Sequence, residues 1–416
     1  MSHINKKDYK VSIVGLGYVG LPLAVRFSLK GFDTTCFDIS EKRILELLNY
    51  EDINNDISYD SLSILNKNSK LTSEVTDIKD CNIFIITVPT PINEDKTPDL
   101  NPLKISSELV GSVMKKDSII IYESTVYPGV TDEICAPILE KKSQLKFNKE
   151  FSTGYSPERI VPGDKVNTIE KIKKVVSASN EDALKIVSNI YASIIDAGIH
   201  IAPSIKVAEA AKVTENIQRD VNIALMNEMH QLYTSLNIST LDVIDAASTK
   251  WNFMKLTPGL VGGHCISIDP YYLMHKSEIS GYTPNIMRSA RKINDEMGAW
   301  ILNNFIEFTK SASIDLKSIE ITILGYTFKE NCSDIRNTKV HDLAIAMKEQ
   351  GFNIKIWDPF LEKATISYLK KYQIKSFTNM PKNVELAFVC VYHDEVKNFL
   401  KNYDGTVYDF RKLDQK

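Results

Sequence analysis

Gly15-Leu16-Gly17-Tyr18-Val19-Gly20 stands between a short apolar run, Val11-Ser12-Ile13-Val14, and a segment from Tyr18 to Leu29 with helical apolar period. A G-x-G-x-x-G turn in that position commits the chain to open as a strand–turn–helix unit. The first glycine permits the tight turn, the second lets a pyrophosphate approach the backbone, and the third lets helix pack on strand. The helix N-terminus then offers unpaired amides to the anion. Asp38 closes the next strand-like run, Thr34-Thr35-Cys36-Phe37, about 20 residues on, where an acid binds ribose hydroxyls and repels a 2′-phosphate. This points to NAD rather than NADP, with Lys42 and Arg43 pulling slightly the other way. The competing reading is a glycine turn that holds no cofactor.

The strand–helix alternation continues. Ile83-Phe84-Ile85-Ile86 and Ser118-Ile119-Ile120-Ile121-Tyr122 read as strands, and Lys173-Lys174-Val175-Val176 is a weaker candidate. Alternation of this kind implies a parallel sheet covered on both faces. From about Ser204 to Leu236 no glycine or further proline interrupts a helical period. Ala208, Ala211, Val213, Ile217, Val221, Ala224, Leu225 and Met229 predict one long, largely buried helix, a domain connector or a dimer seam. More helix is expected from Pro284 to Thr309. Near the end, Gly351-Phe352-Asn353-Ile354-Lys355-Ile356-Trp357-Asp358 echoes Gly31-Phe32-Asp33-Thr34-Thr35-Cys36-Phe37-Asp38, after a strand Ile319 to Leu324 that enters a turn at Gly325. The expected fold is α/β: two Rossmann-like, doubly wound domains joined by a central helical region with one long helix. The expected domains are 1–203, 204–310 and 311–416.

The 416 residues suffice for two or three domains, and 43% hydrophobic with 25% charged residues is ordinary for a globular protein. A formal charge of −3 gives no basic surplus for nucleic acid. Six scattered cysteines form no C-x-x-C pair, which argues against zinc. With no signal peptide they are expected to stay reduced, and the protein cytoplasmic. No run of about 18 apolar residues occurs, so no membrane span is expected.

Gly262-Gly263-His264-Cys265, followed by Ile266-Ser267-Ile268-Asp269-Pro270, sets a thiol on a bend with little bulk beside it. Beside a redox cofactor, an accessible thiol suggests oxidation through a covalent sulfur adduct. A cysteine also reads as a small buried hydrophobe. A catalytic thiolate needs a neighbouring cation, for which Lys212 is a candidate. His264 reads as a base or as a structural ring. Lys212, Asn216 and Asp220 fall at i, i+4 and i+8, on one helical face. That face could present an ammonium and an amide to an oxyanion, or be a surface stripe with Lys212 paired to Glu209 or Glu215. Thr90 and Thr125 follow apolar strands, at the sheet end where ligands bind, or bond only neighbouring backbone. Glu158, in the loop Tyr155 to Gly163, reads as a general base or as half of a solvated pair with Arg159. Lys329 and Arg336 read as phosphate ligands or as part of an exposed charged loop.

Taken together, these motifs resemble the UDP-glucose/GDP-mannose dehydrogenase family, in family order and over nearly the whole chain. Within it the sequence is most similar to the Vi-antigen-type UDP-N-acetylhexosamine 6-dehydrogenases. The stretches that carry this are Ser156-Pro157-Glu158-Arg159-Ile160, Lys206-Val207-Ala208-Glu209-Ala210-Ala211-Lys212, Thr249-Lys250-Trp251-Asn252-Phe253 and Pro258-Gly259-Leu260-Val261-Gly262-Gly263-His264-Cys265. The resemblance implies a four-electron, NAD-dependent oxidation of a sugar C6 to a uronate, for capsule or O-antigen synthesis. It implies Cys265 as nucleophile, Lys212 and Asn216 at the oxyanions, Asp269 as a proton acceptor, and Glu158 with Thr125 at the hydrolytic water. Gly15, Gly17, Tyr18, Val19, Gly20, Asp38, Arg43, Thr90, Thr125 and Arg336 would meet NAD in the first domain. Glu158, Arg159, Ile160, Lys212, Asn216, Phe253, Gly259, Gly262 and Lys329 would meet the UDP-sugar, its nucleotide on the last domain. A homodimer or higher even oligomer is implied. Three positions depart from relatives: Ser267 replaces Pro or Gly, Tyr326 replaces a smaller residue, and Ile268 stands where UDP-glucose dehydrogenases have lysine. The substrate expected is UDP-GlcNAc or UDP-GalNAc, with the ManNAc epimer or UDP-glucose as alternatives. Rival readings are a two-electron alcohol dehydrogenase and a non-catalytic nucleotide-sugar sensor.

Overall fold

A computed structural model of the protein describes residues 5–53, 57–160, 166–316 and 318–412. The chain forms two compact units, one of Met1–Glu215 with Tyr271–Ser280 and one of Asn216–Pro270 with Gly281–Lys416. In the first, eight strands form one sheet: β1 (Lys10–Val14), β2 (Asp33–Phe37), β3 (Ser69–Thr72), β4 (Ile83–Ile86), β5 (Ser118–Tyr122), β6 (Phe151–Tyr155), β7 (Lys174–Ala178) and β8 (Ile199–Ile201). Their order is β3-β2-β1-β4-β5-β6-β7-β8. The first six follow the doubly wound order 3-2-1-4-5-6, whose direction switches between β1 and β4. Every residue of β4 and β5 is buried, as expected for strands covered on both faces. Helix Gly20–Leu29 returns over the sheet through Leu23 and Phe27. The sheet is not wholly parallel: β7 runs antiparallel to β6, pairing Gly154 with Ala178 and Tyr155 with Ser177. The connection from β6 to β7, residues 156–173, includes a 3-10 turn at Ile169–Lys171.

The second unit carries a five-stranded parallel sheet, β9 (Glu320–Leu324), β10 (Asn353–Trp357), β11 (Lys375–Phe377), β12 (Leu386–Val389) and β13 (Thr406–Tyr408), in the order β11-β10-β9-β12-β13. The echoed segments are thus the second strand of each sheet, β2 and β10. The predicted long helix spans Ile205–Ser235, 31 residues, or about 46 Å at 1.5 Å per residue. The later one spans Asn285–Ser311. The long helix differs from the expected apolar rod. Leu225 and Leu232 are exposed, while Glu209, Lys212, Asn216, Asp220, Asn227 and His230 are buried. In the second unit much of this polar stripe is paired, though Asp220 Oδ2 is left without a hydrogen bond among the described residues. Asp220 takes Arg291 at 2.5 Å and Asn294 at 2.8 Å, and Asn227 bonds Asn294 at 2.8 Å. Buried polar groups are tolerated when paired in this way. No helix among the described residues is long and apolar enough to cross a membrane.

Candidate functional site

The glycine turn of the first unit is shaped for a dinucleotide. Gly15 takes φ +97°, a left-handed conformation that glycine adopts without strain. Its amide bonds the carbonyl of Phe37 at 2.8 Å, and Thr87 Oγ1 donates to its carbonyl at 2.7 Å. A Cβ on Gly20 would lie 1.8 Å from the Gly15 oxygen, whereas one on Gly17 would meet nothing within 4 Å. Gly20 therefore answers to packing, and Gly17 leaves open the space that a pyrophosphate needs. Asp38 accepts the amides of Leu16 (2.8 Å) and Ser40 (2.9 Å), one on each oxygen. Each oxygen keeps a lone pair for a ribose hydroxyl. These features fit the adenosine half of NAD. Arg43 is committed elsewhere: Nε donates to the Leu16 carbonyl at 3.0 Å, Nη2 to Asp52 at 2.9 Å, and Nη1 to Glu46. It braces the turn, with two carboxylates neutralising it.

Tyr18 and Val19 are half-buried in that turn, and Thr90 and Thr125 are half-buried in the loops after β4 and β5. Ser124 Oγ donates to the Val88 carbonyl at 2.6 Å and ties these two loops together. Glu209, on the long helix, pins the loop after β5 by accepting the amides of Gly129 at 2.6 Å and Thr131 at 3.0 Å. Burial pushes its carboxyl up to about 7 against those bonds. Glu215 pairs with Arg159 at 2.6 Å. Neither glutamate is thus the partner imagined for Lys212, which is buried and has no carboxylate partner among the described residues.

Glu158 is not a solvated half-pair. It is buried, and its Oε1 accepts the amides of Arg159 (2.6 Å) and Ile160 (2.8 Å) while Oε2 accepts Lys174 Nζ at 2.6 Å. The same ammonium lies 2.7 Å from Glu123, to which the Tyr191 hydroxyl also donates. Sequence reasoning gave Lys174, Glu123 and Tyr191 no role. The available signal was a lysine on an apolar strand and a glutamate directly after β5. Val161, Pro162 and Gly163 of the predicted loop lie outside the described residues.

In the second unit Cys265 is half-buried, while the other five cysteines are buried. Burial pushes the thiols of Cys36, Cys135 and Cys390 up to about 12, and that of Cys81 to about 11. Those four stay protonated and inert. The glycines before Cys265 answer to packing as well as access. A Cβ on Gly262 would lie 2.7 Å from the Asn337 carbonyl, and one on Gly263, at φ +85°, 2.9 Å from the Phe328 ring. The departing residue Ser267 closes the turn by donating to the Gly263 carbonyl at 2.6 Å. The amides of Ile268 and Asp269 bond the Cys265 carbonyl at 3.0 and 2.8 Å. Asp269, buried at the start of helix Asp269–Ile279, accepts Asn216 Nδ2 at 2.5 Å. The structure therefore joins Asn216, Asp269 and the thiol turn.

His264 Nδ1 lies 2.8 Å from Arg336 Nη2 and 3.4 Å from Asp334. A neutral ring accepts from Arg336 and a protonated one donates to Asp334, so the two states are exclusive. Against the downward push of burial, hydrogen bonds to Asp334 and to the Cys265 thiol raise His264 to about 9, favouring the protonated state. The neighbour that bonds the Cys265 thiol is thus His264, which the sequence left as a base or a structural ring. Arg336 is also held by Asp334 at 2.6 Å. Lys329 lies over the Phe328 ring at 5.5 Å. Gly259 exchanges two hydrogen bonds with Asn227, at 2.9 and 3.1 Å, and Phe253 is half-buried beside the 92% exposed Trp251.

A UDP-N-acetyl-D-glucosamine 6-dehydrogenase of Pseudomonas aeruginosa is 49% identical over 356 residues, 85% of this chain and 84% of that one. Protein CapL of Staphylococcus aureus is 46% identical over 399 residues, covering 96% and 93%. The solved structure of a UDP-D-ManNAc dehydrogenase from Pyrococcus horikoshii superposes with a TM-score of 0.84 at 28% identity, covering 95% of this chain and 91% of that one. Residues 9–195 match the family's NAD binding domain, 206–296 its central domain and 322–414 its UDP binding domain. The chain belongs to the UDP-glucose/GDP-mannose dehydrogenase family and is an NAD-dependent oxidoreductase of that family.

Proposed function

We propose that the protein oxidises C6 of a UDP-N-acetylhexosamine, UDP-GlcNAc or UDP-GalNAc, by four electrons to the uronic acid through Cys265. The carrying observation is that Cys265 is half-buried, while the other five cysteines are buried, and stands on a turn fixed to Asp269 and Asn216. Similarity to the Pseudomonas enzyme supports the acetamido sugar, and similarity to CapL supports a surface polysaccharide as destination. Bound NAD would supply the hydride acceptor, on Gly15, Gly17, Gly20 and Asp38.

Oxidation of an alcohol to an acid in one site requires that the aldehyde be retained. The Cys265 sulfur adds to the aldehyde carbon, which keeps it bound and leaves a C–H bond for the second oxidation. Lys212 and Asn216 donate to the oxygen as it gains charge, and Asp269 accepts the proton that the substrate hydroxyl gives up. Water, positioned by Thr125 and deprotonated at Glu158, then attacks the thioester. The C–S bond breaks and the thiolate leaves. Arg159, Ile160, Phe253, Gly259, Gly262 and Lys329 hold the sugar nucleotide, and Arg336 the cofactor. A homodimer through the long helix, whose Val207, Leu225 and Leu232 are exposed, completes the reading.

The test is Cys265→Ser with a panel of UDP-sugars. The native enzyme should yield two NADH per sugar with UDP-GlcNAc or UDP-GalNAc. The variant should bind UDP-sugar normally and lose uronate formation by about 100-fold or more. Unchanged steady-state activity would refute the covalent role, and one NADH per sugar would indicate a two-electron alcohol dehydrogenase.

A further inference from the structure

Behind Glu158 lies a cluster that this chemistry has left without a task. Lys174 Nζ sits between Glu123 Oε2 (2.7 Å) and Glu158 Oε2 (2.6 Å), with the Tyr191 hydroxyl on Glu123 Oε1. All four side chains are buried, Tyr191 completely. Four elements bring them together: β7 supplies Lys174, helix Glu181–Ile194 supplies Tyr191, and the ends of β5 and β6 supply the carboxylates. Two carboxylates on one ammonium leave a net charge of −1, which a dry interior holds only with full hydrogen bonding. The bonding is unequal. Glu158 has two backbone amides besides Lys174, whereas among the described residues Glu123 has the Tyr191 hydroxyl alone.

We propose that Lys174 and Glu123 form a proton relay behind Glu158, taking up the proton released when water attacks the thioester. The relay rests on the role proposed above for Glu158. A water O–H bond breaks as its oxygen bonds the thioester carbon, and the proton passes to Glu158. Lys174 gives an N–H proton to Glu123 Oε2 and takes the one on Glu158. The electron pair of the C–S bond goes to the Cys265 sulfur, and the remaining proton leaves the new carboxyl group for solvent. Nothing is oxidised or reduced. The electrostatics run the right way. Burial pushes Glu123 above the ordinary carboxylate range, with Lys174 and Tyr191 opposing and the Glu158 charge adding. Against burial, Lys174 and the amides of Arg159 and Ile160 hold Glu158 below it. The proton therefore comes to rest on Glu123, and Glu158 is free to accept again. Lys174 and Glu123 are positioning residues, since neither is assigned a contact with substrate.

The test compares Glu123→Gln, Tyr191→Phe and Glu158→Gln with the native enzyme, using UDP-GlcNAc and NAD. Glu123→Gln should keep KM and a rapid burst of two NADH per site. Its kcat should fall about 10- to 100-fold, and intact mass should show a UDP-uronyl adduct on Cys265. Tyr191→Phe, which keeps the buried ring and is the second variant should Glu123→Gln fail to fold, removes a donor to Glu123. The acid limb of its kcat profile should therefore move to higher pH. A merely structural role would lower Tm and weaken the burst with it, without adduct. An adduct on Glu158→Gln but none on Glu123→Gln, with an unmoved Tyr191→Phe profile, overturns the relay alone. No adduct on either variant overturns the role of Glu158 as well.

Discussion

Gly17 and Gly20 are two residues of one motif, yet the structure predicts opposite consequences for adding a single methyl group to each. A Cβ at Gly17 meets nothing within 4 Å, and the residue does not take a left-handed φ. Gly17→Ala should therefore fold normally. Its stability should change by no more than about 0.5–1 kcal/mol, with any gain arising from the lower entropy of the unfolded chain. The open space is the one a pyrophosphate occupies over the helix N-terminus, so the methyl group should cost cofactor affinity. Displacing the phosphates by a few tenths of an ångström weakens charge-assisted bonds worth about 1.5–3 kcal/mol each, so NAD should bind about 10- to 100-fold more weakly. At Gly20 the same methyl would stand 1.8 Å from the Gly15 oxygen and 2.4 Å from Thr87 Oγ1, where ordinary contact begins at 3.4 Å. Helix Gly20–Leu29 would have to back away from β1 by more than an ångström, at a cost of at least about 1–3 kcal/mol. Gly20→Ala should lose both Tm and NAD binding. Calorimetric unfolding beside NAD titration by isothermal calorimetry separates the two. Native NAD affinity in Gly17→Ala, or a native Tm in Gly20→Ala, would sink this division of labour.

Two further substitutions probe the supports of the site. The rise of Glu209 from 4.5 to about 7 corresponds to on the order of 3 kcal/mol at most. Because its folded value is raised, the stability it contributes is complete below the ordinary carboxylate range and disappears as pH climbs through about 7. Glu209→Gln does not titrate, so its Tm relative to the native protein should climb between pH 5 and 8; a constant difference across that window contradicts the burial argument. Arg43→Met removes the ion-pair partner of Asp52, whose side chain is 1% exposed and also accepts the Ile57 amide at 3.1 Å, which should cost at most about 3–5 kcal/mol. It also releases the Leu16 carbonyl, so Tm should fall and the KM for NAD rise while that for UDP-sugar holds, as steady-state kinetics and thermal melts would record.

The legible parts of the fold were those whose residues declare their own burial. β4 and β5 are unbroken apolar runs, and the 31-residue helix has no internal breaker. Harder to read were β6, Phe-Ser-Thr-Gly-Tyr, whose buried Gly154 packs close to β7, and the short edge strands such as β3 and β11. The reversal at β7 was hidden because strand direction depends on where the chain returns. The same holds for the polar interior. Lys174 looked like an ordinary strand residue because its partners lie 51 and 16 residues away. The buried face of the long helix was misjudged because periodicity was counted on apolar residues, while Asp220, Asn227 and His230 are buried by partners on other elements. Around the thiol, proximity in sequence made the turn legible. That Gly262 and Gly263 also face Asn337 and Phe328 depends on a loop some seventy residues later.

The internal echo of the two sheets raises the question of why one chain with two such turns should carry one dinucleotide motif. Gly325 repeats the role of Gly15, with φ +85° and the amide on the end of the second strand, at the Trp357 carbonyl. Asp358 repeats the place of Asp38, but its carboxylate is buried and takes four donors. Oδ2 accepts the amides of Tyr326 (2.6 Å) and Thr327 (3.0 Å) and His393 Nε2 (2.9 Å), while Oδ1 accepts Phe360 at 2.8 Å. His393 Nδ1 accepts the Asn331 amide at 2.9 Å, which fixes the ring proton on the nitrogen facing Asp358. Asp358 and His393 are both fully buried. With the carboxylate buried, the lone pair left on Oδ1 is closed to a ribose diol, and Tyr326-Thr327-Phe328 sets bulk where Gly17 leaves space. Opening this turn to NAD would require emptying a buried acid of four donors and removing the Tyr326 side chain from the core. The difference between the two turns is therefore built into the packing of the second unit and is beyond the reach of a single loop substitution.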